Sequence, residues 1–189
     1  MLRMHLIRHA IYEGYCPGSA RYIGRTDPPL SAEGRTQAMQ LGQSMPELPN
    51  VQVFASTARR ASETAALAFP RANIRRISNA MEIDYGRIEG LSVPEAARLY
   101  PELFLPAPGR DSPIDFRSVG GEAIGDLIVR VRQVAADAEP FDEVVLVSHA
   151  IFLSAMCHHL LGGIPTDIAF GFCTRVTLDK KGGEWSRAR

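Results

Sequence analysis

The sequence predicts an α/β protein, a three-layer α/β/α sandwich with a mostly parallel central sheet. Apolar runs of strand length alternate with amphipathic stretches of helix length through most of the chain. The run "EVVLVSH" at 143–149 is continuous rather than alternating, as a central strand buried on both faces requires. Two apolar runs, "LIRHA" at 6–10 and "VLVSHA" at 145–150, each break off into a histidine. In open α/β sheets, ligands bind at the carboxyl ends of the strands.

The elements follow in order. Residues 2–8, "LRMHLIR", read as the first strand. The stretch "GYCPGSARYIGRTDPPLS" at 14–31 is rich in Gly, Pro and Ser and reads as loop. Ser31 then stands as N-cap before "AEGRTQAMQLGQSM", with Ala38, Leu41 and Met45 at helical spacing. "VQVFA" at 51–55 is a second strand. "STARRASETAALAF" at 56–69 is the next helix, again expected to be opened by a small hydroxyl residue, and "NIRRIS" at 73–78 is a short third strand. Residues 91–119 hold several prolines and one short helix near "VPEAARLY". Gly120 and Gly121 break the chain before "EAIGDLIVRVRQVAADA", whose apolar face is Ile124, Leu127, Ile128, Val131 and Val134. After the strand at 143–149, "AIFLSAMCHHLLG" reads as helix. "RVTLD" and "EWSRA" flank a Lys-Gly-Gly turn and read as a terminal hairpin.

A length of 189 residues suits one domain over 1–189, with the irregular segment at about 91–119 as a lid or specificity insertion. Lys and Arg number 21, as do Asp and Glu, so there is no overall basic field; nucleic acid and membrane are not expected partners. Cys16, Cys157 and Cys173 form no CxxC pair, which argues against a disulfide framework or structural zinc. With no signal-like stretch and no run of about 20 apolar residues, the expected location is cytoplasmic.

The strand ends carry the chemistry. Arg8-His9, the segment from Ser56 with its Arg59-Arg60 pair, and Ser148-His149 should converge on one rim. Two imidazoles and at least two guanidiniums there are electrostatically costly unless an anion completes them. Arginine's planar fork suits phosphate oxygens, and helix N-termini add N–H donors. A metal is the weaker reading. His5 and His9 lie four apart on a strand, and His158 and His159 are adjacent, so neither pair shares a helix face. A phosphoryl-transfer site also needs a proton donor for the leaving alkoxide. The segment "MEIDYGRIEG" offers Glu82, Asp84 and Glu89 around Tyr85 and Gly86.

These motifs together resemble the histidine phosphatase superfamily, also called phosphoglycerate mutase-like. "LIRHA" is similar to its Arg-His-Gly motif, which implies His9 as nucleophile and Arg8 as phosphate ligand. "RYIGRTDPPLSAEGRTQA" resembles the family's following Gly-x-x-Asp segment, and "STARRASETA" its Ser-x-x-x-Arg-Ala segment, which places the family arginine on Arg60. "MEIDYGRIEG" implies Glu82 as the proton donor, "VGGEA" resembles the segment opening the next helix, and "VLVSHA" implies His149 as the second catalytic histidine. Arg21, Gly24 and Tyr85 align with segments lining the substrate site of mutase-like relatives, and Gly24 is expected to offer its N–H to phosphate.

The resemblance implies a metal-independent phosphatase that needs no cofactor, takes a small-molecule phosphomonoester and releases inorganic phosphate. The short chain and "YIGRTDPPLS" look most like the α-ribazole phosphatase-like, broad small-molecule phosphatase branch. A cofactor-dependent phosphoglycerate mutase and a non-catalytic phospho-ligand binder are the alternatives. Against the mutase, the residues after the first motif run "IYEGYCPG", and Arg98, Arg110 and Arg117 in the insertion include no Arg-Arg pair. Ala10 and Ala150 stand where most relatives have glycine. Substrate choice is expected to lie in 11–25 and 91–119, and nothing in the residues fixes an oligomeric state.

Overall fold

The computed structural model describes residues 1–104, 115–163 and 168–188. The middle of the expected insertion, with Arg110, lies outside them. The described elements are β1 (Leu2–Arg8), α1 (Ala32–Ser44), β2 (Gln52–Ser56), α2 (Arg59–Ala68), β3 (Ile74–Ile77), α3 (Val93–Leu99), α4 (Ile124–Ala138), β4 (Glu143–Ser148), α5 (Ala150–Leu161), β5 (Arg175–Lys181) and β6 (Glu184–Arg187). They build one six-stranded sheet in the order β3-β2-β4-β1-β5-β6. The β3-β2, β2-β4 and β4-β1 pairs are parallel, while the terminal hairpin adds β5 and β6 antiparallel.

The side-chain alternation of the strands divides the core into two layers. Met4, Leu6, Phe54, Val144 and Leu146 pack against Leu127, Val131, Phe152 and Leu153 of α4 and α5. Their sequence neighbours Ile7, Val53, Ala55, Val145 and Val147 pack against Leu41, Ala61 and Ala65 of α1 and α2. This is the three-layer sandwich expected from the sequence. Register is fixed across it, since Leu6 and Phe54 both pair with Leu146. A slip of one residue would turn every strand's apolar set to the wrong layer. The same register aligns the strand ends. Arg8 pairs with Ser148 and Ala55 with Val147, so His9, Ser56 and His149 emerge on one rim.

Two helix starts differ from the expectation. The N-cap of α2 is Ala58, which has no capping side chain. Ser56 and Thr57 precede the helix, and its first amide, that of Arg59, donates instead to Asp27 Oδ1 at 2.6 Å. The N-cap of α4 is Ala123, whose N–H is held by the Asp126 carboxylate at 2.9 Å. Ser31 caps α1 as expected, accepting from Gly34 N–H.

The two alanines that replace glycine are unstrained. Among the described residues, the only non-glycine at positive φ is Cys173, at 53°. Ala10 is fully buried against Leu30 and Ala38, and Ala150 opens α5 in helical conformation.

Candidate active site

β1 delivers His9 to the rim fully buried. Its Nδ1 lies 2.8 Å from the Ala10 carbonyl, and since a carbonyl only accepts, Nδ1 carries the proton. Nε2 is therefore a free base, and it accepts from Arg60 Nε–H at 3.3 Å. Burial, then the charge of Arg60 and Arg8, hold the His9 imidazole well below its ordinary pKa, so it stays neutral. A neutral imidazole with an unprotonated ring nitrogen can act as a nucleophile.

His149 follows β4 and is the N-cap residue of α5. Its ring lies edge-on to His9, with centroids 5.1 Å apart. Its Nε2 lies 2.8 Å from Ser56 Oγ, so the serine at the end of β2 holds the second histidine. Burial and then Arg60 depress its pKa strongly.

Arg60 is 0% exposed. Besides His9, its guanidinium donates to three carbonyls of one loop: Thr26 through Nη1 at 2.8 Å, and Ile23 and Gly24 through Nη2 at 3.2 and 3.1 Å. Its neighbour Arg59 turns outward to Glu63 at 2.6 Å and takes no part. Arg8 donates through Nη1 to the Phe170 carbonyl at 2.8 Å, and its guanidinium lies 4.1 Å over the Phe172 ring. Among the described residues, two buried side-chain polar atoms lack a hydrogen-bond partner: Arg8 Nε and His149 Nδ1. Both belong to this rim. An unpaired N–H such as that on Arg8 Nε is what a bound anion satisfies.

Of the three acids in "MEIDYGRIEG", Glu82 is the buried one. Its carboxylate accepts from Ile83 N–H at 3.0 Å, Ile151 N–H at 3.1 Å and Phe152 N–H at 3.0 Å. The last two are in the first turn of α5, directly after His149. A side chain 69 residues away thus caps a helix whose own N-cap residue does not. Burial raises the Glu82 pKa, against the lowering effect of those three amides. Asp84 instead pairs with Arg25 at 3.2 Å.

The structure brings His9, Arg8, Arg60, His149 and Glu82 to the carboxyl edge. The other three expected residues have partners of their own. Arg21 is engaged by the Gly90 carbonyl at 2.8 Å and Glu95 at 3.2 Å. Gly24 does not present its N–H to the rim; it donates to the Glu89 carboxylate at 3.0 Å, because that loop faces away from His9 on its amide side. Tyr85 is 7% exposed and packs on Tyr22 and Phe116 with centroids 5.0 and 5.1 Å away. It is a core residue, with burial raising its phenol pKa.

Sequence reading missed an aromatic wall. The ring of Phe172 lies 5.6 Å from that of His9 and 4.8 Å from that of Tyr15, and Tyr12 lies 6.0 Å from His9. Phe172 arrives on the turn before β5, where Cys173 N–H donates to the Arg8 carbonyl at 3.1 Å. Among the described residues, no three His, Cys, Asp or Glu side chains gather as a metal site would require, and no helix is long and apolar enough to cross a membrane.

A model of the histidine phosphatase superfamily (branch 1) matches residues 4–186. The chain belongs to the histidine phosphatase superfamily. Within it, the chain is 31% identical over 167 residues to phosphoserine phosphatase 1 of Hydrogenobacter thermophilus, covering 86% of this chain and 77% of that protein. It is 28% identical over 170 residues to a Salmonella paratyphi C protein named probable phosphoglycerate mutase GpmB, covering 86% and 76%. The solved structure of the alpha-ribazole phosphatase from Shigella flexneri shares the fold, with a TM-score of 0.81, 20% identity and coverage of 99% and 95%. The superfamily therefore contributes both phosphatase and mutase relatives, and the phosphatase relatives support a phosphatase activity.

Proposed function

We propose that this histidine phosphatase hydrolyses a small-molecule phosphomonoester through a phosphohistidine intermediate, without a metal. The observation that carries the reading is the tautomer of His9. Its Nδ1–H is pinned on Ala10, which leaves the Nε2 lone pair at the rim beside Arg60, His149 and Arg8.

In the first step Nε2 attacks phosphorus and the bond to the ester oxygen breaks. Protonated Glu82 gives its proton to the departing oxygen. In the second step Glu82 takes a proton from water, the water oxygen bonds phosphorus, and the P–N bond breaks to return neutral His9. Charge on the equatorial oxygens is met by Arg8, whose Nε–H is unengaged, and by Arg60, whose Nε–H is released as the His9 lone pair turns to phosphorus. A dianion beside His149 opposes the lowering of its pKa and favours the imidazolium, with both ring nitrogens as donors. These fixed cations take the part that a metal plays in other phosphoryl-transfer sites.

The wall of Tyr12, Tyr15 and Phe172 supports a substrate whose leaving group has an apolar or aromatic face. The test is hydrolysis of p-nitrophenyl phosphate with EDTA present, followed by acid-labile phosphate bound to the protein. His9→Ala should abolish both. Substantial turnover by pure His9→Ala would overturn the reading. Isomerisation of 3-phosphoglycerate would favour the mutase, and tight phosphate binding with no hydrolysis of any ester the binder.

A further inference from the structure

Arg60 is a fully buried cation, and among the described residues its guanidinium donates to His9 and to three backbone carbonyls, not to a carboxylate. Its charge is met through the backbone. Ile23 and Gly24 present their carbonyls to Arg60 Nη2 at 3.2 and 3.1 Å. The amides of the same two peptide units, Gly24 N–H and Arg25 N–H, point the opposite way, to Glu89 Oε1 at 3.0 and 2.7 Å. Thr26 adds its N–H at 3.3 Å and its hydroxyl at 2.9 Å to Glu89 Oε2, while its carbonyl accepts from Arg60 Nη1.

One carboxylate therefore gathers three consecutive amides, and the loop's other side gathers one guanidinium. Each bridging peptide dipole has its positive end on Glu89 and its negative end on Arg60, so hydrogen bonds along the relay polarise one another. The arrangement needs glycine at 24. A Cβ there would collide with the Ile83 carbonyl, the Glu89 carboxylate and the Tyr85 ring.

We infer that Glu89 is a positioning residue for the phosphatase reaction, fixing Arg60 against His9 and the phosphoryl group through the peptide units of residues 23–26. The inference rests on the proposed phosphohistidine route. Arg60 does more in the transition state than in the ground state, since its Nε–H is freed only when His9 attacks. Loss of Glu89 should thus lower kcat more than it raises KM.

The experiment is a kinetic cycle of wild type, Glu89→Gln, Arg60→Lys and the double variant. Glu89→Gln is nearly isosteric but loses the charge and sets an amide N–H₂ against N–H donors. It should lose about 10- to 100-fold in kcat, the range seen when a hydrogen-bond partner that orients a metal-binding side chain is removed, with KM changed far less. In the Arg60→Lys background the same change should cost little, because a lysine cannot span three carbonyls. Glu89→Asp should recover part of the loss. Thr26→Val, which removes one hydroxyl bond, is the milder variant if Glu89→Gln folds poorly, and it should lower kcat in the same direction. Full kcat in Glu89→Gln, or equal losses in both Arg60 backgrounds, would overturn the inference. If wild type forms phosphohistidine while Glu89→Gln is unimpaired, only the positioning role fails. If wild type has no turnover, the chemical reading fails, and inorganic phosphate affinity decides the rest: weaker binding by Glu89→Gln sustains the relay and unchanged binding overturns it.

Discussion

The His9 and His149 rings lie edge to face with centroids 5.1 Å apart, and both are held neutral by burial and by the same two arginines. Two cations that prevent two imidazoles from charging make a site that takes up protons when an anion arrives. Sulfate has no titrating proton at neutral pH. Its binding should be accompanied by proton uptake, read as binding enthalpies that differ among buffers of different ionisation enthalpy. Equal enthalpies in all buffers would contradict this account.

Stability should show the same depressed pKa values. Below about pH 6.5 the unfolded histidines bind protons that the folded ones refuse, so stability falls with falling pH until the folded pKa is reached. For each histidine the slope is at most about 1.4 kcal/mol per pH unit. His149→Gln should therefore lose less stability than wild type between pH 7 and pH 5.5 (conditions set by that window), by roughly 1 kcal/mol in denaturant melts. Equal losses would argue that His149 titrates normally.

Glu82 shifts the other way. Its raised pKa keeps it protonated, as a donor, to higher pH than an exposed glutamic acid, and activity should fall as pH rises through that value. Glu82→Gln should lose about 10²- to 10⁴-fold on alkyl phosphates. The loss should be smaller on p-nitrophenyl phosphate, whose leaving group needs less help. Equal losses on both would remove Glu82 as the acid.

Phe172→Ala should raise KM for aryl phosphates more than for alkyl phosphates, because the ring lies 5.6 Å from His9 and forms the wall with Tyr15. A comparable shift for both substrate kinds would mean that Phe172 acts only by holding Arg8.

Tyr85→Phe should leave KM unchanged, since Tyr85 packs on Tyr22 and Phe116 instead of facing the rim. Gly24→Ala, by contrast, should destabilise the fold by about 1–3 kcal/mol, the usual cost of overpacking. Thermal melts and steady-state kinetics of the two variants would check both statements.

The strands were legible because burial on both faces requires unbroken apolar runs such as "EVVLVS", and these leave little doubt about which residue ends the strand. His9 and His149 were legible for that reason. Arg60 and Glu82 needed the family resemblance, because a helix face and a loop acid carry no periodic signal of their own. Glu89 was visible only as one of three acids. What sets it apart is a fan of backbone amides, and amides leave no trace in side-chain identity. Phe172 was hidden similarly, since an aromatic before an antiparallel strand reads as core. The opening of α2 is not legible because its N-cap is Ala58, two residues past Ser56, whose hydroxyl accepts the Ala58 amide and meets His149, while Asp27 from a distant loop takes the first helical amide.

Glu82 closes the first turn of α5 through the carboxyl group that, in the proposed mechanism, also carries the transferred proton. By that mechanism each turnover would change the charge on a helix cap and restore it. Hydrogen exchange at the Ile151 and Phe152 amides should report the chemical state of the enzyme from outside the pocket. Engineering a sturdier start to α5, by giving position 149 or 150 its own capping side chain, would compete with the acid for its anchor, so thermal robustness and turnover are set against each other at this one carboxyl group.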